Sequence, residues 1–163
     1  MTLVYVSIGS NIDRVANIRT AVDALRQHYG ELTVSSVYES APVGFTGENF
    51  YNLVVGFDTE DTVDSVAAFL HNVENRQRRD RAAPRFSART IDLDLLLFGD
   101  LVLASDTVQV PRDDITDYAF VLAPLTEIAA NERHPVTGRR FAELWHEFNK
   151  AKQPLWAVDV PLS

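Results

Sequence analysis

The run from Thr90 to Gly99, Thr-Ile-Asp-Leu-Asp-Leu-Leu-Leu-Phe-Gly, constrains the fold more than any other stretch of the chain. It is short, apolar and closed by a glycine, which predicts a strand. Side chains alternate along a strand, so Ile91, Leu93, Leu95 and Leu97 are expected on one face and Asp92, Asp94, Leu96 and Phe98 on the other. The two aspartates then stand roughly 6.6 Å apart, at about 3.3 Å per residue. Two like charges on one face of a leucine-rich strand raise each other's pKa, and burial disfavours both ionised forms. Something positive must compensate them. A divalent cation is one candidate, because hard oxygen ligands suit magnesium, usually held by one or two carboxylates plus substrate phosphates. The other is a solvated face on which Asp92 and Asp94 pair with neighbouring arginines. From this strand alone both readings stay open.

The preceding segment favours the cation. Arg76, Arg78, Arg79, Arg81, Arg85 and Arg89 are crowded together in a chain whose formal charge is −8 and whose Lys and Arg total 15. Arginine forks bind phosphate oxygens bidentately. A phosphate-gripping run that leads into a carboxylate pair is the arrangement phosphoryl transfer needs, since that chemistry rests on positioning and charge neutralisation. The plainer alternative is a solvated basic helix end and loop.

Composition narrows the class. At 163 residues the chain is expected to form one domain, residues 1–163, with a sizeable core. Its 46% apolar and 23% charged content is that of a globular protein. Cysteine is absent, which excludes disulfides and thiolate metal sites. The start, Met-Thr-Leu-Val-Tyr-Val, lacks a basic region, and no apolar stretch reaches the ~20 residues of a membrane span. A cytoplasmic protein without membrane or nucleic-acid partners is expected, the acidic balance arguing against the latter.

In chain order, Leu3 to Ile8 reads as a buried strand ended by Gly9-Ser10-Asn11. Val15, Ile18, Val22, Leu25 and Tyr29 make one face of a helix, with Gly30 placed at its C′ position. Leu32 to Tyr38 is a second strand, followed by a long loop over residues 39–49. Phe50 to Phe57 is a third. Asp61 or Thr62 caps a second helix whose stripe is Val63, Val66, Ala67, Leu70 and Val73, and which carries His71 and Glu74. Another loop, Asp80 to Ala88, leads to the aspartate strand. Short strands at 102–103 and 108–110, a helix near 120–130 containing Pro124, and a helix bearing Phe141, Leu144, Trp145 and Phe148 follow. Leu155 to Val160 is expected to be an extended tail. The order is that of the β-α-β-β-α-β ferredoxin-like unit, with a mostly antiparallel sheet and helices on one face, hence α+β, plus extra strands and C-terminal helices.

Four motifs in this order carry a resemblance that covers nearly the whole chain: Ile8-Gly9-Ser10-Asn11; Ala41-Pro42-Val43-Gly44 with Tyr51-Asn52; Arg89-Thr90-Ile91-Asp92-Leu93-Asp94-Leu95-Leu96-Leu97-Phe98-Gly99; and Phe120-Val121-Leu122-Ala123-Pro124-Leu125. The chain resembles the 6-hydroxymethyl-7,8-dihydropterin pyrophosphokinases. The resemblance implies transfer of the diphosphate of ATP to the hydroxymethyl group of 6-hydroxymethyl-7,8-dihydropterin, with release of AMP, in folate synthesis. It implies that Asp92 and Asp94 bind two magnesium ions, that Arg79 and Arg89 contact phosphate, and that residues 80–88 close over ATP. His71, Glu74, Arg81, Arg85, Arg89, Leu95 and Arg112 fall at nucleotide-side positions. Phe50 and Phe120 would sandwich the pterin, Asn52 would read its edge, and Ser40 and the Val43 backbone would complete the pocket. A flat polar heteroaromatic ring suits two aromatic faces, and an amide offers its edge both donor and acceptor. A monomer is expected.

Three positions depart from the family pattern. Arg112 stands where a histidine is usual, Tyr118 where an arginine is, and Phe86 in place of a lid tryptophan. Arg89 is odd-numbered and the aspartates even, so the chain must bend at the strand's entry for Arg89 to join them. The departures motivate a second reading, a catalytically weakened or non-catalytic pterin- or nucleotide-binding paralogue. A third, a ferredoxin-like nucleic-acid-binding module, is disfavoured by the net charge.

Overall fold

The computed structural model describes residues 1–42, 47–79 and 91–162, with the backbone alone at Arg79. Its elements are β1 (Thr2–Ser10), α1 (Arg14–Tyr29), β2 (Thr33–Val34), β3 (Val37–Ser40), β4 (Phe50–Thr59), α2 (Val63–Arg79), β5 (Asp92–Phe98), β6 (Leu103–Ala104), β7 (Gln109–Val110), α3 (Asp114–Asp117), α4 (Ala119–Ala129), α5 (Phe141–Glu147) and β8 (Leu155–Val158). The sheet runs β5-β1-β4-β3-β8, with β2 also on β4, and the paired strands are antiparallel. β6 and β7 form a separate hairpin.

Each face of the sheet has its own apolar cluster. Val4, Val6 and Ile8 of β1 meet Ile18, Val22 and Leu25 of α1 and Val66, Leu70 and Val73 of α2. The helical stripes are thus as expected from their periodicity, except that Val15 is exposed. Gly30 closes α1 at φ 86°, its N–H donating to the Arg26 carbonyl at 2.9 Å. Thr62 caps α2, its hydroxyl accepting the Ser65 N–H at 3.2 Å. On the other face Tyr5, Val54, Leu96 and Leu97 pack against α3, α4 and α5 through Ile115, Leu122, Leu125 and Phe141. Helices therefore cover both faces, where the ferredoxin-like order alone suggested one. The core unit's α1 and α2 share a face, and the C-terminal helices add the second layer. Glu127 ties α4 to β3, accepting from the Ser36 N–H at 2.9 Å and the Tyr38 hydroxyl at 2.7 Å.

Two departures from simple alternation shape the sheet. Pairing of β1 with β5 shifts between Tyr5, opposite Leu97, and Val6, opposite Leu95. Leu96 is the extra residue of a bulge, which resets the alternation. Leu97 consequently packs with Leu96 under α4, while Phe98 turns to the α1/α2 side, the reverse of the strict period-2 expectation for both. The aspartates precede the bulge and keep their shared face.

The second interruption splits the expected Leu32–Tyr38 strand in two. Ser35 donates its N–H to the Val54 carbonyl at 3.0 Å and takes the Val54 N–H on its own hydroxyl at 2.9 Å. The side chain replaces a main-chain acceptor, so the ladder breaks there. Both residues are buried. Ser35→Ala strands the Val54 N–H and is expected to cost about 1–3 kcal/mol, read by urea unfolding. The expected C-terminal tail is instead an edge strand: β8 pairs with β3, Leu155 opposite Ser40.

Candidate active site

β5 is the outer strand of the sheet, so one row of its main-chain groups faces away from β1. Side chains and a loop satisfy that row. The Leu93 N–H donates to Glu74 Oε2 at 2.9 Å, and the Arg112 N–H donates to the Leu96 carbonyl at 3.0 Å. Glu74 reaches there because His71, Glu74 and Arg78 lie on one side of α2, at i, i+3 and i+7. Arg78 Nη2 lies 3.1 Å from Asp92 Oδ1 and 3.3 Å from the Ile91 carbonyl. His71 Nδ1 is 3.8 Å from Glu74 Oε1. Across the strand, Arg112 bridges Asp94, with Nη2 to Oδ1 at 3.6 Å, and Asp114, with Nε to Oδ2 at 3.1 Å. His71, Glu74, Leu93, Asp94, Leu95, Gln109 and Arg112 line a cleft of about 570 Å³ between α2, β5 and the β6–β7 hairpin.

The carboxylates of the cleft are electrostatically loaded. Burial pushes the Asp94 carboxyl up to about 6; Arg112 opposes the shift, and Asp92, Glu74 and Asp114 add to it. Glu74 is also held above its ordinary range, by burial first, against the Leu93 N–H and Arg78. Burial works against the charge on Arg112, but Asp94, Asp114 and Asp92 overcome it. Arg112 thus does not fully offset burial and the neighbouring carboxylates at Asp94. The donor set fits magnesium: hard oxygens only, two on one strand face, leaving coordination positions for phosphate and water. Among the described residues no group of three or more His, Cys, Asp or Glu forms a self-sufficient cage.

The opposite side of the site follows from strand register. Asn52 of β4 is opposite Gly9 of β1, and Gly9 is opposite Asp92 of β5. Directly opposed residues share a face, so Asn52 and Asp92 flank a glycine in one cross-strand row, roughly 10 Å apart at two strand spacings. A Cβ on Gly9 would stand 2.5 Å from Asn52 Oδ1, so the amide lies where any side chain would be. Asn52 is buried, as is Ser40, which pairs with Phe50. Phe120, in the first turn of α4, stacks on Tyr118 with centroids 4.9 Å apart.

The structure therefore brings His71, Glu74, Asp94, Leu95 and Arg112 to one cleft, with Asp92 beside it on the same strand face, paired with Arg78, and Ser40, Phe50 and Asn52 at the adjoining strand ends. Val43, Arg81, Arg85, Phe86 and Arg89 lie outside the described residues, as do the loop over 80–88 and the bend that would bring Arg89 to the aspartates; for Arg79 only the helical backbone is described. The sequence reading missed three contributors. Arg78, named in the arginine run but given no role of its own, shares the helix face of Glu74, which the 3.6-residue period could have revealed. Asp114 shares Arg112 with Asp94. Gly9 leaves room for Asn52, and its signal was the Ile8-Gly9-Ser10-Asn11 motif itself.

A ferredoxin-like sheet carrying paired carboxylates at the mouth of an arginine-flanked cleft defines an α+β domain of the phosphoryl-transfer class. The chain belongs to the 7,8-dihydro-6-hydroxymethylpterin-pyrophosphokinase family, whose model matches residues 5–130. It is 37% identical over 130 residues to the 2-amino-4-hydroxy-6-hydroxymethyldihydropteridine pyrophosphokinase of Bacillus subtilis, a match covering 77% of each chain. With the enzyme of that name from Haemophilus influenzae it shares 33% identity over 135 residues, 80% of this chain and 84% of the other. In fold it is similar to the crystal structure of wild-type Plasmodium falciparum HPPK-DHPS with pterin and p-hydroxybenzoate. That match has a TM-score of 0.70 at 14% identity over 90% of this chain, and spans 43% of the longer one. Among the described residues no helix is long and apolar enough to cross a membrane.

Proposed function

We propose that this protein transfers the diphosphate of ATP to the hydroxymethyl group of 6-hydroxymethyl-7,8-dihydropterin, with Asp92 and Asp94 holding two magnesium ions. The row Asn52–Gly9–Asp92 carries the proposal. An amide suited to a pterin edge and a carboxylate suited to a phosphate-bound cation share one strand face there.

The hydroxyl oxygen bonds to the β-phosphorus of ATP, the bond from that phosphorus to the α,β-bridging oxygen breaks, and AMP leaves with the electron pair. The hydroxyl proton passes to solvent. Magnesium, when bound, neutralises phosphate charge and acidifies the hydroxyl. Asp92 and Asp94 hold the cations. Arg79, Arg81, Arg85 and Arg89 grip the phosphates. His71, Glu74, Leu95 and Arg112 form the nucleotide side. Glu74 acts chiefly by fixing β5 through the Leu93 N–H, and Arg112 opposes the rise that burial imposes on the Asp94 carboxyl. Phe50 and Phe120 stack on the pterin, Asn52 reads its edge, and Ser40 and Val43 close the pocket. The chain acts as a monomer in the cytoplasm, without nucleic acid or membrane.

The test is AMP formation from ATP and magnesium with and without 6-hydroxymethyl-7,8-dihydropterin. Pterin-dependent AMP release that disappears with EDTA is the expected result. Pterin and ATP binding without AMP release would overturn the transfer and leave a binding protein.

A further inference from the structure

We infer that Glu39 is a positioning residue for the pterin side of the site, an inference that rests on the function proposed above. Its carboxylate gathers donors from three distant segments. Oε2 accepts from Asn49 Nδ2 at 3.1 Å and lies 3.4 Å from Arg14 Nη1, and Oε1 accepts from the Trp156 indole N–H at 3.3 Å. Arg14 also donates to the Asn49 carbonyl at 3.0 Å, and its guanidinium lies 4.0 Å from the centroid of the Tyr51 ring. Asn11 donates to the Glu48 carbonyl at 3.2 Å. The turn between β1 and α1, the end of β3 and the edge strand β8 thus converge on Glu48 and Asn49, the two residues that lead into Phe50.

Register explains what this clasp does. The β3–β4 pairing ends at Ser40 opposite Phe50, one step beyond Glu39 opposite Tyr51. Adjacent residues point to opposite faces. Glu39 and Tyr51 lie on the face of α1, while Ser40 and Phe50 lie on the face of Asn52. Past that last pair no ladder bond of β3 is present among the described residues, and side chains hold Asn49. The Glu39 side chain is only 19% exposed, so its charge-assisted hydrogen bonds are partly shielded from water. A clasp on the far face therefore sets the backbone that presents Phe50 to the ring. Trp156 lies beyond the residues matched by the family model, so part of this support comes from the C-terminal strand.

The experiment compares Glu39→Ala, Glu39→Gln and Trp156→Phe with the parent, by calorimetric titration with 6-hydroxymethyl-7,8-dihydropterin and by steady-state kinetics in both substrates. Glu39→Ala is expected to weaken pterin binding and raise pterin KM by about 10-fold, the scale of a lost hydrogen-bonded charge, with ATP KM within about 2-fold. Glu39→Gln keeps an acceptor and recovers to within about 3-fold. Trp156→Phe loses one of the bonds and shifts pterin affinity by about 3-fold, again without moving ATP. Pterin affinity unchanged in Glu39→Ala, or pterin and ATP KM rising together, overturns the inference. If Glu39→Ala does not fold, Glu39→Gln and Trp156→Phe decide it: no pterin-selective change in either overturns it. A parent that binds no pterin overturns the proposed function itself, which separates that failure from this one.

Discussion

Asp94→Ala is expected to lower pterin-dependent AMP release by about 1,000-fold, roughly 4 kcal/mol of barrier and the scale of a lost metal-centred charge stabilisation. A magnesium titration checks the cause, since the variant should fail to recover at any magnesium concentration that saturates the parent. The same residue has a second, opposite effect on the cation-free protein. Burial raises the folded-state pKa of Asp94 to about 6, above the ordinary aspartate value of 3.8. The folded state therefore holds this proton more tightly than the unfolded state. That contribution to stability is fully present below about pH 4 and is lost as pH rises through about 6. At pH 7.5 the ionised Asp94 costs stability, and Asp94→Asn removes the cost. The side chain is one-third exposed, with 33% of its area accessible, so screening reduces the gain to about 1 kcal/mol, or roughly 2–4 °C in Tm. Calorimetric scans in EDTA should show the gain at pH 7.5 and none at pH 4. A variant both inactive and more heat-stable would show that the strand was under electrostatic load awaiting a cation. Equal stabilities at pH 7.5 would mean that Arg112 and solvent already balance the charge.

Gly9→Ala should produce a large and selective loss of pterin affinity. The new methyl would fall 2.5 Å from Asn52 Oδ1, closer than real Cβ contacts allow. The obstacle is the end of a side chain rather than backbone, so Asn52 swings aside and the fold persists. The backbone at Gly9 does not adopt a positive φ, and alanine fits it without strain. Stability should fall by about 1–3 kcal/mol, the scale of a methyl forced into a packed site. Pterin KM should rise by about 10- to 100-fold, because displacing the amide leaves polar groups of the ring unpaired. ATP KM should stay within about 2-fold. Asn52→Ala supplies the comparison, and the double variant should lose little more than either alone, since both remove one contact. Additive losses would mean that Gly9 acts by another route.

The sequence was most informative where local rules decide the structure. The apolar stripes of α1 and α2 mark the helices because a surface helix must bury one side, and Gly30 ends α1 because its φ of 86° suits glycine. The shared face of Asp92 and Asp94 was legible because strand alternation holds from Ile91 to Leu95. It fails immediately afterwards, since the bulge at Leu96 answers to a register set by β1 and α4. β8 was read as a tail for the same reason: its four residues carry no strong pattern, and β3 makes them a strand. Within the site, types were legible but partners were not. The arginine run was legible as a run, whereas the pairing of Arg78 with Asp92 follows from its helical phase with Glu74. Arg112 looked like a departure from a histidine, and three-dimensional contact shows it spanning Asp94 and Asp114.

The one-residue bulge in β5 works as an expansion joint. Upstream, Asp92 and Asp94 are keyed to Gly9 and Ser7; downstream, Leu97 and Phe98 are keyed to Tyr5 and Val4. The chemical half and the packing half of one strand are therefore gauged separately. Changes in side-chain volume beneath α4 can be taken up at Leu96 while both carboxylates stay opposite their own partners, leaving the second core free to drift in composition around a fixed pair of aspartates.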